Sequence, residues 1–235
     1  MFSRNTFVMT DLTQLHAQMK ACRLCLEAGF YIEPEAVFSA GSSPEVMLIG
    51  QAPGVTEVVA QRPFNASSGR RLFQWLEDAG WEEDSFRQRY YMTAVTKCYP
   101  GKHPNGKGDR VPSKEEQALC RSFLEAEIRL VQPRLMILVG GLAIKLLYPK
   151  SARLTEIIGT AVYFSPETLK DPVNFKIKQG QVLRQFDPTL DKNGRWVVPL
   201  PHPSGASLWP NKPENQQRIQ HAAKILDNIR QHWGV

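Results

Sequence analysis

Residues 46–54 read VMLIGQAPG, a run of four large apolar residues followed by a short loop that contains glycine and proline. A continuous apolar run of this length indicates a strand that is buried on both faces, and such strands belong to parallel sheets covered by helices. The loop from Gly50 to Gly54 then lies at the carboxyl end of a strand, where open α/β sheets bind their ligands. The same stretch therefore predicts both the fold class and the position of a site.

Similar patterns surround this stretch along the chain. Strands are predicted at residues 90–96, 135–139 and 196–198, and an antiparallel hairpin is predicted around residues 179–180. Helices are predicted after the N-cap Asp11, at residues 68–79, after the capping box that begins at Ser113, at residues 142–147 and over the C-terminal segment. This alternation predicts a single α/β domain over residues 1–235, built as a three-layer αβα sandwich with a mostly parallel central sheet.

The composition limits the function classes. Of 235 residues, 42% are hydrophobic and 22% are charged, which excludes a disordered or collagenous chain. The formal net charge of +6 favours a nucleic acid or another polyanion as partner. The longest apolar stretch, residues 135–144, is shorter than the roughly 20 residues of a membrane span, and the first thirty residues lack the apolar core of a secretory signal. We therefore expect a cytoplasmic protein without a membrane partner, and we take it to be a monomer.

Four cysteines need a common explanation in a reducing compartment, where structural disulfides are rare. Cys22 and Cys25 form a CxxC motif at the end of a predicted helix, and Cys98 follows a predicted strand, while Cys120 lies near the start of a predicted helix. Four thiolates can hold a tetrahedral zinc ion or an iron–sulfur cluster. The alternative is four unrelated buried cysteines that behave as small apolar residues.

A second constellation, HPSGAS at residues 202–207, follows the last predicted strand and lies in a loop stiffened by prolines. Together with GQAPG at 50–54, RPF at 62–64, TAVTKC at 93–98 and the cysteine layout, it resembles the uracil-DNA glycosylase superfamily. The likeness is to the iron–sulfur branches of that superfamily, usually called families four and five, and it extends from the CxxC motif to the final helix. It implies the same fold and a [4Fe–4S] cluster held by the four cysteines.

The resemblance also implies roles for individual residues. His202 is expected to be a neutral hydrogen-bond donor to the charge that develops on the departing uracil, and Gln51 is expected to orient the attacking water. Phe64 is expected to stack on the flipped base, since an aromatic platform contributes on the order of 1–3 kcal/mol per base. The remaining substrate-binding residues implied by the motifs are Gly50, Ala52, Pro53, Gly54, Ala94 and Ser204.

Two departures from the family pattern change the expected chemistry. Family four usually has Glu where this chain has Gln51, and family one has Asp where it has Ala52, so the motif lacks a carboxylate that could take a proton from water. Glu57 is a candidate substitute, and a solvated helix or loop residue is the alternative for that position. Ala94 stands where family four has an Asn that pairs with uracil, which predicts a broader base range that extends to hypoxanthine or xanthine.

The loop after the strand at 90–96 is strongly basic, with Asp109 as its only acidic residue. Such a loop beside a site predicts salt-dependent binding to the DNA backbone, and a merely solvated loop is the alternative. The expected DNA-binding residues are Lys97, Lys102, Lys107, Arg110, Ser207 and Leu208. Leu208 or its neighbour Trp209 is further expected to fill the gap that a flipped base leaves in the duplex.

The function predicted from these observations is a monofunctional DNA glycosylase. As the resemblance implies, it is expected to hydrolyse the N-glycosidic bond of uracil in DNA and to leave an abasic site, and the base range is expected to extend to other deaminated bases. One alternative is a uracil-DNA-binding protein with weak turnover, or one that traps uracil-DNA covalently through His103. Another alternative is a redox carrier, which the flanking DNA motifs favour little.

Overall fold

The computed structural model describes residues 11–106, 108–190, 193–205 and 207–235. The six strands of the described residues are β1 (Val46–Gly50), β2 (Tyr91–Ala94), β3 (Leu135–Val139), β4 (Ala161–Phe164), β5 (Gln181–Leu183) and β6 (Arg195–Leu200). Their α-helices are α1 (Leu12–Ala21), α2 (Leu24–Glu27), α3 (Val55–Ala60), α4 (Ser67–Glu77), α5 (Glu83–Arg89), α6 (Lys114–Val131), α7 (Gly141–Ile144), α8 (Leu154–Ile157) and α9 (Pro213–Trp233).

The six strands form one sheet in the order β2-β1-β3-β6-β4-β5. Strands β2, β1, β3 and β6 are parallel neighbours, whereas β4 pairs antiparallel with both β6 and β5. All residues of β1, β2, β3 and β6 are buried, as expected for strands that are covered on both faces. The predicted α/β sandwich with a mostly parallel sheet is therefore confirmed.

The helices cover the sheet in two groups. Helix α1 packs on α6, and α4 packs on α9, which also contacts β6. The first pair forms a small apolar cluster that includes Leu15, Met19 and Ala126. The second pair contributes residues such as Leu76 and Leu226 to the main core around the strands. No helix in the described part of the chain is both long and apolar enough to cross a membrane.

Several local predictions hold, and others need correction. Asp11 caps α1 through the N–H of Gln14, and Ser113 opens α6 with the predicted capping box. The hairpin predicted around residues 179–180 is confirmed as the antiparallel pair of β4 and β5, but its connection is long, residues 165–180, and does not turn at Gly180. Gly180 serves close packing instead, since a Cβ there would lie 2.5 Å from Cγ1 of Val162.

Element boundaries also differ from the predictions. Helix α4 spans residues 67–77 instead of 68–79, α7 ends at residue 144 instead of 147, and β2 ends at Ala94, two residues before the predicted end. After Ala94 the chain leaves the sheet while its backbone still bonds to the loop after β1. The N–H of Val95 donates to the carbonyl of Gly50 (3.0 Å), and that of Thr96 donates to Gln51 (3.2 Å). These bonds hold the loop that follows β2 beside the loop that follows β1.

Candidate functional site

A cavity of about 450 Å³ lies at the carboxyl ends of β1, β2 and β6. Its size falls within the ordinary range for small-molecule sites. The GQAPG loop and the HPSGAS loop, which are far apart in sequence, both line it. The predicted site residues that line this cleft are Gly50, Gln51, Ala52, Pro53, Gly54, Phe64, Ala94, Arg110, His202 and Ser204.

His202 presents a defined tautomer to the cleft. Its Nδ1 accepts a hydrogen bond from the backbone N–H of Ser204 (3.2 Å), so the ring proton lies on Nε2. Burial lowers the pKa of His202 below its usual range, which keeps the imidazole neutral. The ring lies against Gly140, where a Cβ would be 2.9 Å from Cδ2 of His202. The residue is therefore a neutral donor in a closely fitted position.

Phe64 is held in a left-handed backbone conformation, with φ of 53°, and its ring lies over Gly50. A Cβ on Gly50 would be 2.8 Å from Cζ of that ring, so only glycine permits this approach. Arg87 clamps the turn by donating to the carbonyls of Pro63 (2.7 Å) and Phe64 (2.8 Å), and Glu83 pairs with the same guanidinium (2.8 Å). The aromatic face is thus fixed by groups outside the cleft, which the sequence did not reveal.

Glu57 also lines the cleft, yet it is buried and its carboxylate is fully engaged. One oxygen accepts from the N–H of Asn65 (2.9 Å) and of Ala66 (3.1 Å). The other accepts from the N–H of Gly54 (3.1 Å) and the hydroxyl of Thr56 (3.0 Å). The interpretation of Glu57 as a solvated residue is wrong, because it joins the first motif to the turn after Phe64.

The sequence predicted that Lys97 contacts DNA. This prediction is wrong, because the side chain of Lys97 is buried, with 2% exposure. Its ammonium lies 2.6 Å from the carboxylate of Glu127, which is also buried. It donates further to the hydroxyl of Thr93 (2.9 Å) and the carbonyl of Ala94 (2.5 Å). The hydroxyls of Tyr91 and Thr93 also donate hydrogen bonds to the carboxylate of Glu127. Lys97 is therefore a structural cation that fixes the end of β2.

Arg110 lines the cleft but is likewise committed to the protein. Its guanidinium donates to both carboxylate oxygens of Glu116 (2.6 Å each) and to the carbonyl of Tyr31 (2.8 Å). The prediction of Arg110 as a phosphate ligand is corrected accordingly, because this ion pair anchors the basic loop to α6. Lys102 in the same loop is exposed, and Lys107 lies outside the described residues.

The other predicted DNA contacts lie beside the cleft. Ser207 is partly buried and donates its N–H to the carbonyl of Ser204 (3.0 Å), whereas Leu208 is 74% exposed. Trp209 packs against the main core, so Leu208 is the better candidate of the two for filling a gap in a duplex. His103, the residue considered for covalent trapping, is exposed and is not among the residues that line the cleft.

Asp109 is a cleft residue that the sequence interpretation counted only as the single negative charge of the basic loop. Its Oδ1 accepts a hydrogen bond from the hydroxyl of Tyr99 (2.9 Å). The one signal in the sequence was an acidic residue isolated among lysines and arginines. An acidic residue in this setting is a candidate for a separate role, because its negative charge does not help to bind phosphates.

The four cysteines line one apolar pocket, although they come from three separate segments of the chain. Burial raises the pKa of Cys98 to about 12 and that of Cys25 to about 11, and the neighbouring thiols add to both shifts. Burial also raises the pKa of Cys22 and Cys120. Four neighbouring thiols whose pKa values are all raised form a group that becomes stable as thiolates only beside a positive centre.

The surroundings of this cysteine pocket fit a metal–sulfur group. The hydroxyl of Thr96 lines the pocket, is buried, and has no hydrogen-bond partner among the described residues. A bound sulfur would supply the missing acceptor. Within the described chain, no three ligating side chains approach closely enough to share a single metal ion. The four thiols and the unpartnered hydroxyl of Thr96 therefore fit a bound metal–sulfur group.

The fold and the cleft together define a class. This is an α/β protein whose site, at the carboxyl edge of a parallel sheet, offers an aromatic face and a neutral hydrogen-bond donor to a flat polar ligand. The chain belongs to the uracil DNA glycosylase superfamily, whose family model matches residues 38–228. The resemblance inferred from the motifs is thereby confirmed.

Curated relatives give the same result. The chain is 33% identical over 150 residues to the type-4 uracil-DNA glycosylase of Pyrobaculum aerophilum, covering 63% of this chain and 70% of that protein. It is 28% identical over 144 residues to the type-4 uracil-DNA glycosylase of Sulfurisphaera tokodaii, covering 60% of each. It is 30% identical over 118 residues to that of Thermotoga maritima, covering 50% of this chain and 56% of the relative.

Proposed function

We propose that this protein is a DNA glycosylase that hydrolyses the N-glycosidic bond of uracil in DNA and leaves an abasic site. The observation that carries the proposal is the shared cleft of the GQAPG and HPSGAS loops, in which His202 and Phe64 both take part. Family membership and the type-4 uracil-DNA glycosylases among its relatives support the same activity. A single domain, acting as a monomer in the cytoplasm, is proposed to carry it.

The cleft residues account for the chemistry. Departure of uracil places negative charge on the base, and a preorganised donor in a dry site stabilises that charge more than it stabilises the intact substrate. We assign this donor to Nε2–H of His202, because the opposite ring nitrogen is occupied by Ser204. Phe64 supplies the stacking face for the flipped base, and Gln51 orients the attacking water.

The base range is proposed to be broader than uracil alone. At the end of β2, Ala94 offers no polar side chain to the cleft, and its carbonyl is already bound by Lys97. Discrimination against analogues depends on buried polar groups that the wrong base leaves unpaired, and none stands at this position. Hypoxanthine and xanthine are therefore proposed as further substrates.

The cysteine pocket is proposed to hold a [4Fe–4S] cluster on Cys22, Cys25, Cys98 and Cys120. When bound, such a cluster would supply the positive iron centres that stabilise four partly buried thiolates, and it would tie the N-terminal segment to both ends of the basic loop. The proposal is supported by the shared pocket and by the unpartnered Thr96 hydroxyl.

DNA is proposed to bind along the exposed part of the basic loop. Lys102 is exposed in this loop, Lys107 belongs to the same segment, and Lys114 is exposed where the loop meets α6. Their contacts are to the phosphate backbone, so the affinity depends on salt and carries no sequence preference. Leu208 is proposed to enter the base stack where the nucleotide has left it.

A base-release assay tests the proposal. Purified protein is incubated in excess with single- and double-stranded DNA that contains one uracil, hypoxanthine or xanthine, and abasic sites are revealed by alkaline cleavage. We expect release of uracil by the wild type and a loss of about 10²- to 10³-fold in His202→Ala, as for removal of one donor to developing charge. Absence of an abasic product, or a denaturant-stable protein–DNA adduct instead, would refute hydrolysis.

A further inference from the structure

The cleft contains two carboxylates among the described residues, and neither belongs to the first motif. These are Glu57 and Asp109. Gln51 can orient a water molecule, but a neutral amide cannot take up a proton from it. The reaction proposed above ends with water attacking C1′ of the sugar, so a group that accepts this proton is chemically useful in the cleft.

Glu57 cannot serve this purpose in the observed arrangement. A carboxylate has about four lone-pair positions, and each oxygen of Glu57 already accepts two hydrogen bonds from the protein. Two of these donors belong to the turn that carries Phe64. Proton uptake by Glu57 would therefore weaken the bonds that hold the aromatic platform.

Asp109 has the free oxygen that Glu57 lacks. Its Oδ1 is bound by the hydroxyl of Tyr99, whereas its Oδ2 accepts no hydrogen bond from the described residues. Oδ2 lies over the first motif, since a Cβ built on Gly54 would be only 3.0 Å from it. The glycine at position 54 thus leaves room for this oxygen beside Gln51's loop.

The loop that carries Asp109 is anchored at its base. The N–H of Arg110 donates to the carbonyl of Gly101 (3.0 Å), and the N–H of His103 donates to that of Gly108 (3.0 Å). The side chain of Arg110 is fixed by its two bonds to Glu116. These bonds hold the backbone on both sides of Asp109, although Asp109 itself is exposed to solvent.

We propose that Asp109 is the general base of this enzyme and replaces the carboxylate that its first motif lacks. The inference rests on the proposed function. The bond between C1′ and the base nitrogen breaks first, and its electron pair leaves with uracil. Water then forms a bond to C1′ and transfers a proton to Oδ2 of Asp109. The uracil anion takes a proton from solvent, and Asp109 returns its own proton to solvent.

Single-turnover cleavage of uracil-containing single-stranded DNA tests the assignment. Asp109→Asn keeps the acceptor for Tyr99 but loses basicity, and we expect its rate constant to fall about 10- to 100-fold. This loss of rate is at the low end of the range for general bases, because uracil leaves the sugar before water attacks C1′. DNA affinity, measured by fluorescence anisotropy, should not weaken, because the variant removes a negative charge. Asp78→Asn, a change at an exposed aspartate outside the cleft, is the charge-matched control and should behave as wild type.

Chemical rescue distinguishes a base from a structural residue. In Asp109→Ala, sodium formate should restore part of the rate relative to sodium chloride at equal ionic strength, because formate can occupy the space of the lost carboxylate. A normal rate in Asp109→Asn would overturn the assignment. So would slow cleavage in Asp109→Ala that formate does not change. If the wild type releases no uracil, the proposed function itself fails, and the role of Asp109 fails with it.

Discussion

The position of the His202 ring can be perturbed without changing any group that touches the base. Gly140 has φ of 84°, and a Cβ at this position would lie 2.9 Å from Cδ2 and 3.5 Å from Cγ of His202. Carbon atoms pack at about 3.5–4.0 Å, so Gly140→Ala forces the ring to retreat by about 0.5–1 Å. A displacement of about 1 Å at a catalytic group can cost 10²-fold in rate, and we expect a loss of about 10- to 100-fold.

The neighbouring residue provides the control. Gly141 is the first residue of α7, and a Cβ there meets nothing within 4 Å. Single-turnover cleavage of uracil-DNA and the melting temperature are measured for Gly140→Ala and Gly141→Ala together. Gly140 has φ of 84° and ψ of 163°, a backbone conformation that is almost restricted to glycine, so Gly140→Ala costs about 1–3 kcal/mol of stability. A melting curve reports this cost separately from the rate. If folded Gly140→Ala cleaves as fast as Gly141→Ala, the close fit of the imidazole does not matter for catalysis.

Three further measurements follow from the charges. Because burial lowers the pKa of His202, the midpoint of its NMR titration should lie below 6.5. The cleavage rate should then stay level as the pH falls from 8 to 6.5. A midpoint above 6.5 contradicts a neutral donor. Lys97→Met leaves Glu127 buried without its cation, so denaturant unfolding should show a loss of about 3–5 kcal/mol, which Lys97→Met/Glu127→Gln should partly recover. Lys102→Glu should reduce the salt dependence of single-stranded DNA binding, with the slope of log K against log salt falling by about 0.7, whereas exposed Lys178→Glu, outside the basic loop, should leave it unchanged.

The fold was predictable because its main signals are local in sequence. Runs of apolar residues such as residues 46–49 and 135–139 become buried parallel strands, and the caps at Asp11 and Ser113 depend on residues three positions away. The pairing of β4 with β5 was predicted, but its connection was not. Gly180 resembles a turn residue in the sequence, whereas its role is to allow close contact with Val162. Such contacts depend on tertiary structure, which a local pattern does not contain.

The candidate site was predictable in its loops and not in its charges. The loops follow strands, so the sheet brings Gln51 and His202 to one edge regardless of their separation in sequence. A charged residue, by contrast, takes its role from its partner. Lys97 was counted with the exposed lysines because nothing near it in the sequence indicates Glu127, which lies thirty residues later on another element. Glu57 and Asp109 were similarly misjudged, because only the structure shows which carboxylate is saturated and which has a free oxygen.

The buried ion pair also connects the two functional regions of the molecule. Lys97 lines the cysteine pocket, and its ammonium binds the hydroxyl of Thr93 and the carbonyl of Ala94, two residues that line the cleft. We therefore expect a displacement of Cys98 to move the adjacent lysine and, through it, the wall of the cleft that Thr93 and Ala94 form. A group bound by the cysteines need not take part in the reaction to affect it. We expect such a group to affect base recognition through the position of β2, so its loss should change the discrimination among bases as well as the stability of the fold.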